Sequence, residues 1–176
     1  EGIDTGDILL VEKVKLDSKE TGGSLFDKLS GVGAALLVKT LDELEKGTVK
    51  PVKQNETEAT HVKMLDKSFG NIDFSMEAAR IERLIRGLNP WPSAFTHFNG
   101  KLLKIWDADV CDDVVCESGE SVVNGMITHV DNNSFIVKCG DNSLKINELQ
   151  LEGKKRMKTQ DFLRGNHINT GDILGK

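Results

Sequence analysis

The sequence has no apolar run long enough to cross a bilayer as a helix. Its longest, Ala34 to Val38, falls far short of the roughly 20 residues such a span needs, so no membrane association is expected. Cysteine is scarce: Cys111, Cys116 and Cys139 are an odd number with no visible signal peptide beside them. That excludes a disulfide framework and points to free thiols in a reducing compartment, with cytoplasm as the expected location. Cys111 and Cys116 are loosely zinc-like in spacing, but structural zinc takes four ligands and no second pair accompanies them. His61, His97, His129 and His167 are scattered, none at ligand spacing from another, so no metal is expected. Dinucleotide-binding, Walker and nucleophile-elbow motifs are all missing. There is no general excess of positive charge either, since 23 Lys and Arg face 28 Asp and Glu for a net charge of −5.

What is present is 176 residues, 38% of them hydrophobic, enough for one domain or for a domain plus part of another. The chain opens at Glu1 without Met and runs directly into a turn-rich stretch, Gly2 to Asp7, which suggests a fragment. Ile8 to Leu16 starts apolar and then alternates, as a strand does. Leu25, Leu29, Val32, Leu36, Leu37, Leu41 and Leu44 recur at helical spacing after the cap-type residues Thr21 to Ser24, and Gly47 ends the run. This predicts a long helix packed on one face, with Gly31 and Gly33 marking a close approach or a break. Residues 48–66 lose all period and read as a linker. A second helix is expected from a Ser75 cap, burying Ile81, Leu84, Ile85 and Leu88 before Asn89-Pro90. Five short strands follow, with Asn99-Gly100 as a hairpin turn between the first two, and they predict a small closed or nearly closed β-barrel. Asp107 to Glu120 holds six acidic residues and no Lys or Arg, the composition of a solvated loop, and a short helix is expected at Thr159–Arg164.

Two stretches could carry chemistry. Asp4, at the entrance of the expected strand and flanked by glycines, could orient a histidine or move a proton, or it could be an ordinary turn residue. Asp4-Thr5-Gly6 is also the aspartic-protease signature, but the partial echo at Ile168 to Leu174 offers Asn169 where a second aspartate would be needed. The echo itself reads as a common turn used twice. The other stretch is Gly153-Lys154-Lys155-Arg156-Met157-Lys158, between a strand and a helix, in a carboxyl-terminal region where 7 basic residues face 4 acidic ones over 142–176. A basic loop on a small barrel fits either a solvated turn or a nucleic-acid contact, because counterion release rewards clustered Lys and Arg whatever the net charge.

Taken in order, several stretches resemble the carboxyl-terminal part of the bacterial methionyl-tRNA formyltransferase family. They are Ile3 to Leu9, Gly23 to Leu29, Arg86-Gly87-Leu88-Asn89-Pro90-Trp91-Pro92, Leu103-Lys104-Ile105-Trp106 and Glu148 to Met157. The resemblance implies that residues 1–47 are an α/β remnant, the end of a doubly wound formyltransferase domain. Residues 48–66 would then be a linker, and 67–176 a tRNA-binding barrel resembling the oligonucleotide-binding fold. It implies formyl transfer from 10-formyltetrahydrofolate to the α-amine of initiator methionyl-tRNA by a monomeric enzyme, with this fragment inactive alone. Asp4 matches the catalytic aspartate, and Glu1, Gly2 and Ile3 match the loop lining the folate's pterin ring. The catalytic Asn and His of the family have no counterpart here. Lys63, Arg86, Lys154, Lys155 and Arg156 are the implied tRNA contacts, although Met64 stands where many members carry the linker lysine. A nucleotide-sugar formyltransferase and a pure RNA-binding module are the alternatives.

Overall fold

The structure, a computed structural model, describes residues 3–113 and 121–175. The chain divides into two compact units, Glu1–Met64 and Leu65–Lys176.

The first unit is built on one helix, α1 (Gly22–Glu45). Thr21 caps it: the Ser24 N–H donates to Thr21 Oγ1 (3.1 Å) and the Thr21 N–H to Ser24 Oγ (3.0 Å), a reciprocal capping box. The expected packed face is not covered, for no residue of α1 is buried and Leu37, Leu41 and Leu44 are exposed. Nothing lies within 4 Å of where a Cβ would stand on Gly31 or Gly33, and the helix runs through both unbroken. Ile8–Leu16 is not a strand. Ile8 alone makes a two-bond bridge to Val52 (2.8 and 2.9 Å), because among the described residues nothing extended lies beside the rest of the stretch to complete a ladder.

The second unit carries α2 (Ala78–Gly87), β1 (Ala94–Phe98), β2 (Lys101–Cys111), β3 (Ile127–Val130), β4 (Phe135–Lys138), β5 (Ser143–Leu151), β6 (Met157–Lys158) and α3 (Thr159–Leu163). Asn99 and Gly100 turn β1 into β2 with φ of 50° and 73°, the pair of positive values that a two-residue hairpin needs. Helix α2 begins later than Ser75. Its N-cap residue, Glu77, gives no side-chain bond, and the Ala78 N–H is satisfied from far along the chain by Asp141 Oδ1 (2.8 Å). Ile81 and Ile85 of α2 are buried with Leu103, Ile105, Phe135, Val137 and Ile146 in one core. The expected acidic loop is partly strand, since β2 continues through Asp107 and Asp109 to Cys111, while its remainder at 114–120 lies outside the described residues.

All strand pairs are antiparallel, in the order β1-β2-β5-β4-β3, with β6 on β5. The nine-residue β5 organises this. Its first half pairs with β4 and its second half with β6, while β2 runs along its other edge. The barrel expected from sequence is not closed: the sheet is open, with β1 and β3 at its ends. The short carboxyl-terminal segment takes up edge groups that a closing ladder would have used. Ile127 N–H donates to the Asp172 carbonyl (2.8 Å), and Gly175 N–H to that of His97 (2.9 Å). No helix among the described residues is long and apolar enough to cross a membrane.

Candidate nucleic-acid interface

The pairing of β6 with β5 fixes the basic stretch as a tight connection from Glu152 to Arg156. Met157 faces Leu149 and packs against the core, so alternation sends Arg156 and Lys158 to the opposite, outer face. Lys154 and Lys155 at the turn are exposed.

Beneath the turn the β2–β5 ladder has two irregularities. Ile105 pairs with Leu149 and Asp107 with Glu148, leaving Trp106 as an extra residue on β2; Ala108 then pairs with Ile146, leaving Asn147 extra on β5. Bulges re-aim side chains. The Trp106 ring lies under two cations, with Arg156 Cζ 4.8 Å and Lys104 Nζ 5.6 Å from its centroid, both within cation–π reach. Its indole N–H donates to Gln150 Oε1 (3.3 Å), and the Gln150 amide donates to the Lys154 carbonyl (2.9 Å). Arg156 also pairs with Glu148, whose carboxylate holds the guanidinium pKa above its ordinary value. Asn147 donates to Asp107 (3.0 Å) and Asp109 (2.7 Å). The outer face of β2 and β5 is thus basic and aromatic toward the turn, while beyond the bulges Asp107 and Asp109 outnumber Lys145, which stands opposite Asp109. Such a surface can take an anionic polymer on its basic half and turn it from the acidic half.

The other sequence candidates are more dispersed. Arg86, in the last turn of α2, donates to Glu82 Oε1 (2.7 Å) with its side chain only 20% exposed. Lys63 is exposed and belongs to the first unit. Asp4, also in that unit, is exposed with φ 63°, and Gln54 braces its turn by donating to the carbonyls of Asp4 (2.9 Å) and Gly6 (2.7 Å). Ile3 is 91% exposed, while Glu1 and Gly2 lie outside the described residues. The structure therefore brings together Lys154, Lys155 and Arg156, and adds Lys104, Trp106 and Gln150, which sequence reasoning did not single out. A tryptophan on the outward side of an otherwise alternating strand was the available signal.

Neither described cysteine is poised to react: burial pushes the Cys139 thiol up to about 12 and raises that of Cys111. Cys116 lies outside the described residues. Among the described residues no group of three or more His, Cys, Asp or Glu could hold a metal ion.

Residues 64–167 match the family model described as formyl transferase, C-terminal domain. The chain belongs to that formyl transferase family. A methionyl-tRNA formyltransferase from Lachnospira eligens is 62% identical over 176 residues, covering 100% of this chain and 56% of the relative. The chain thus spans about half the length of the curated relatives it matches. Among solved structures, HypX from Aquifex aeolicus in complex with tetrahydrofolic acid matches with a TM-score of 0.60 at 14% identity, over 98% of this chain and 32% of that one. WlaRD, a sugar 3N-formyl transferase crystallised in the presence of dTDP and 5-N-formyl-THF, matches with a TM-score of 0.60 at 19% identity, over 88% and 52%. At these identities the two structures carry the fold alone. The open antiparallel sheet with few helices is accordingly the form of the formyl transferase carboxyl-terminal domain.

Proposed function

We propose that this formyl transferase chain serves as the carboxyl-terminal part of a methionyl-tRNA formyltransferase, an enzyme moving a formyl group from 10-formyltetrahydrofolate to the amine of initiator methionyl-tRNA. The observation that carries the reading is the 62% identity, over all 176 residues, to a relative of that name. The basic, aromatic surface at Lys154 to Arg156 supports it with a means of holding the tRNA. In this reading residues 67–176 are the tRNA-binding domain and 48–66 the linker. Residues 1–47 then contribute to the catalytic domain, and the enzyme works as a monomer in the cytoplasm. The second unit has the role of an oligonucleotide-binding barrel without being a closed one. A sugar formyltransferase shares the fold at low identity, and a module that only binds RNA would need no aspartate at position 4.

The described residues do not by themselves form a folate pocket. Ile3 and Asp4 are exposed, and among the described residues no wall stands over them to enclose a pterin. Folate supplies the formyl group when bound, and Glu1 to Ile3 contribute at most one edge of its site. Asp4 keeps its carboxylate accessible on a turn braced by Gln54. In the enzyme that carboxylate would orient a histidine from outside this chain and help move the proton from the attacking amine to the folate nitrogen that leaves as its bond to the formyl carbon breaks. Lys63, Lys154, Lys155 and Arg156 contact tRNA phosphates, and Arg86, tied to Glu82, contributes through its remaining exposed edge.

The test is formylation of initiator methionyl-tRNA by an enzyme in which the chain is joined to the remaining half of its relatives. The wild type should transfer formyl. Asp4→Asn should lower kcat by about 100-fold or more, the scale of a lost general acid–base group, while leaving the Kd for tRNA unchanged. Wild-type turnover retained in Asp4→Asn would refute the role of Asp4. Turnover on a dTDP-amino sugar instead of methionyl-tRNA would favour the sugar enzyme.

A further inference from the structure

Arg156 sits in a bonded frame that a solvated surface turn has no use for. The frame starts at the bulge that makes Trp106 an extra residue on β2. It continues through the indole N–H to Gln150 (3.3 Å) and from the Gln150 amide to the Lys154 carbonyl (2.9 Å), which ties the connection between β5 and β6 to the strand beneath it. The Trp106 carbonyl is engaged too, by the Asn89 amide (3.3 Å) at the end of α2. With its backbone, its N–H and its ring all in use, Trp106 is held from three directions.

We infer that Trp106 and Gln150 are positioning residues that pre-order Lys104, Lys154 and Arg156 as one binding edge for the phosphodiester backbone of RNA. The inference rests on the tRNA reading above and extends it to residues in β2 and β5. The ligand class follows from the ring. An exposed tryptophan on a nucleic-acid surface can stack on an unpaired base. This one has Arg156 and Lys104 within 6 Å of its centroid, so it orients cations instead, and cations recognise phosphate. Fixing a long side chain before binding removes part of the ordering cost that a free lysine or arginine pays on contact, and this raises affinity without adding charge. Glu148 pairs with Arg156 and so fixes it from inside the edge, while Asp107 and Asp109 bound the edge on its far side and set where the backbone must turn away.

Positioning and charge leave different signatures. Removing a phosphate-contacting cation lowers affinity and flattens its salt dependence, whereas removing a residue that only positions cations lowers affinity with the number of released counterions retained. The experiment measures binding of initiator tRNA to the 176-residue chain across a salt series, together with amide hydrogen exchange of residues 153–158 in the free protein. Trp106→Leu should weaken binding about 3- to 10-fold, keep the salt slope and speed exchange in the turn. Trp106→Phe, which keeps a ring under the cations but loses the N–H bond to Gln150, should recover only part of the affinity. Gln150→Leu removes both side-chain bonds without touching the core, so it should reproduce the loss even if Trp106→Leu folds poorly. Lys154→Ala should flatten the slope by about 0.7–0.9. Wild-type affinity and wild-type exchange in both Trp106→Leu and Gln150→Leu would overturn the positioning role and leave the tRNA reading intact. No binding of tRNA by the wild-type chain would overturn both.

Discussion

Gly140 shows how little room the second unit leaves at one of its tight junctions. Its N–H donates to the Met76 carbonyl (2.9 Å), and a Cβ placed on it would lie 2.2 Å from the Ser75 carbonyl oxygen. Backbone cannot yield as the end of a flexible side chain can. Gly140→Ala should therefore destabilise the domain by about 1–3 kcal/mol, the usual range for overpacking, read as a lower denaturation midpoint with unchanged m. In sequence this glycine looks like any other turn residue in Gly140-Asp141-Asn142, because the segment that crowds it stands far earlier in the chain. The bulge at Trp106 was hidden for a related reason: a bulge belongs to a pair of strands, and only the mismatch between Ile105–Leu149 and Asp107–Glu148 exposes it. Lys154, Lys155 and Arg156 stand out in the sequence because their signal is local composition.

Elements divide the same way, by whether what shapes them is near or far in sequence. The hairpin at Asn99-Gly100, the capping box of α1 and the apolar face of α2 follow from adjacent residues, and each was readable. The start of α2 does not, since its first N–H is bonded by Asp141. That bond, together with those from the Asn142 and Asp141 amides, holds the Asp141 carboxyl below its ordinary pKa of 3.8. A group depressed on folding stabilises the protein above its unfolded pKa, and that contribution is lost as pH falls through the folded value. Thermal stability should thus drop below about pH 3.8 in the wild type. Asp141→Ala should start from a lower Tm near neutral pH and lose less than the wild type over the same acid interval; identical acid profiles would mean the cap has no part in it. Ile8 to Leu16 failed as a strand because alternation marks which side chains could face a core and cannot supply the neighbouring strand.

At the scale of the whole chain, one unit carries a folded core and a structured basic edge, while the other presents a helix with no buried residue and an exposed aspartate on a braced turn. A net charge of −5 conceals this, for the acidic residues of β2 and the basic connection after β5 meet across two compensating bulges. We propose that this basic edge holds tRNA. It is tested most directly by the salt dependence of initiator-tRNA binding to the chain and to its Lys154→Ala, Lys155→Ala, Arg156→Ala triple variant. The variant should bind more weakly, with a log–log slope shallower by about 0.7–0.9 for each phosphate left without its cation. The same affinity and slope in both proteins would contradict it.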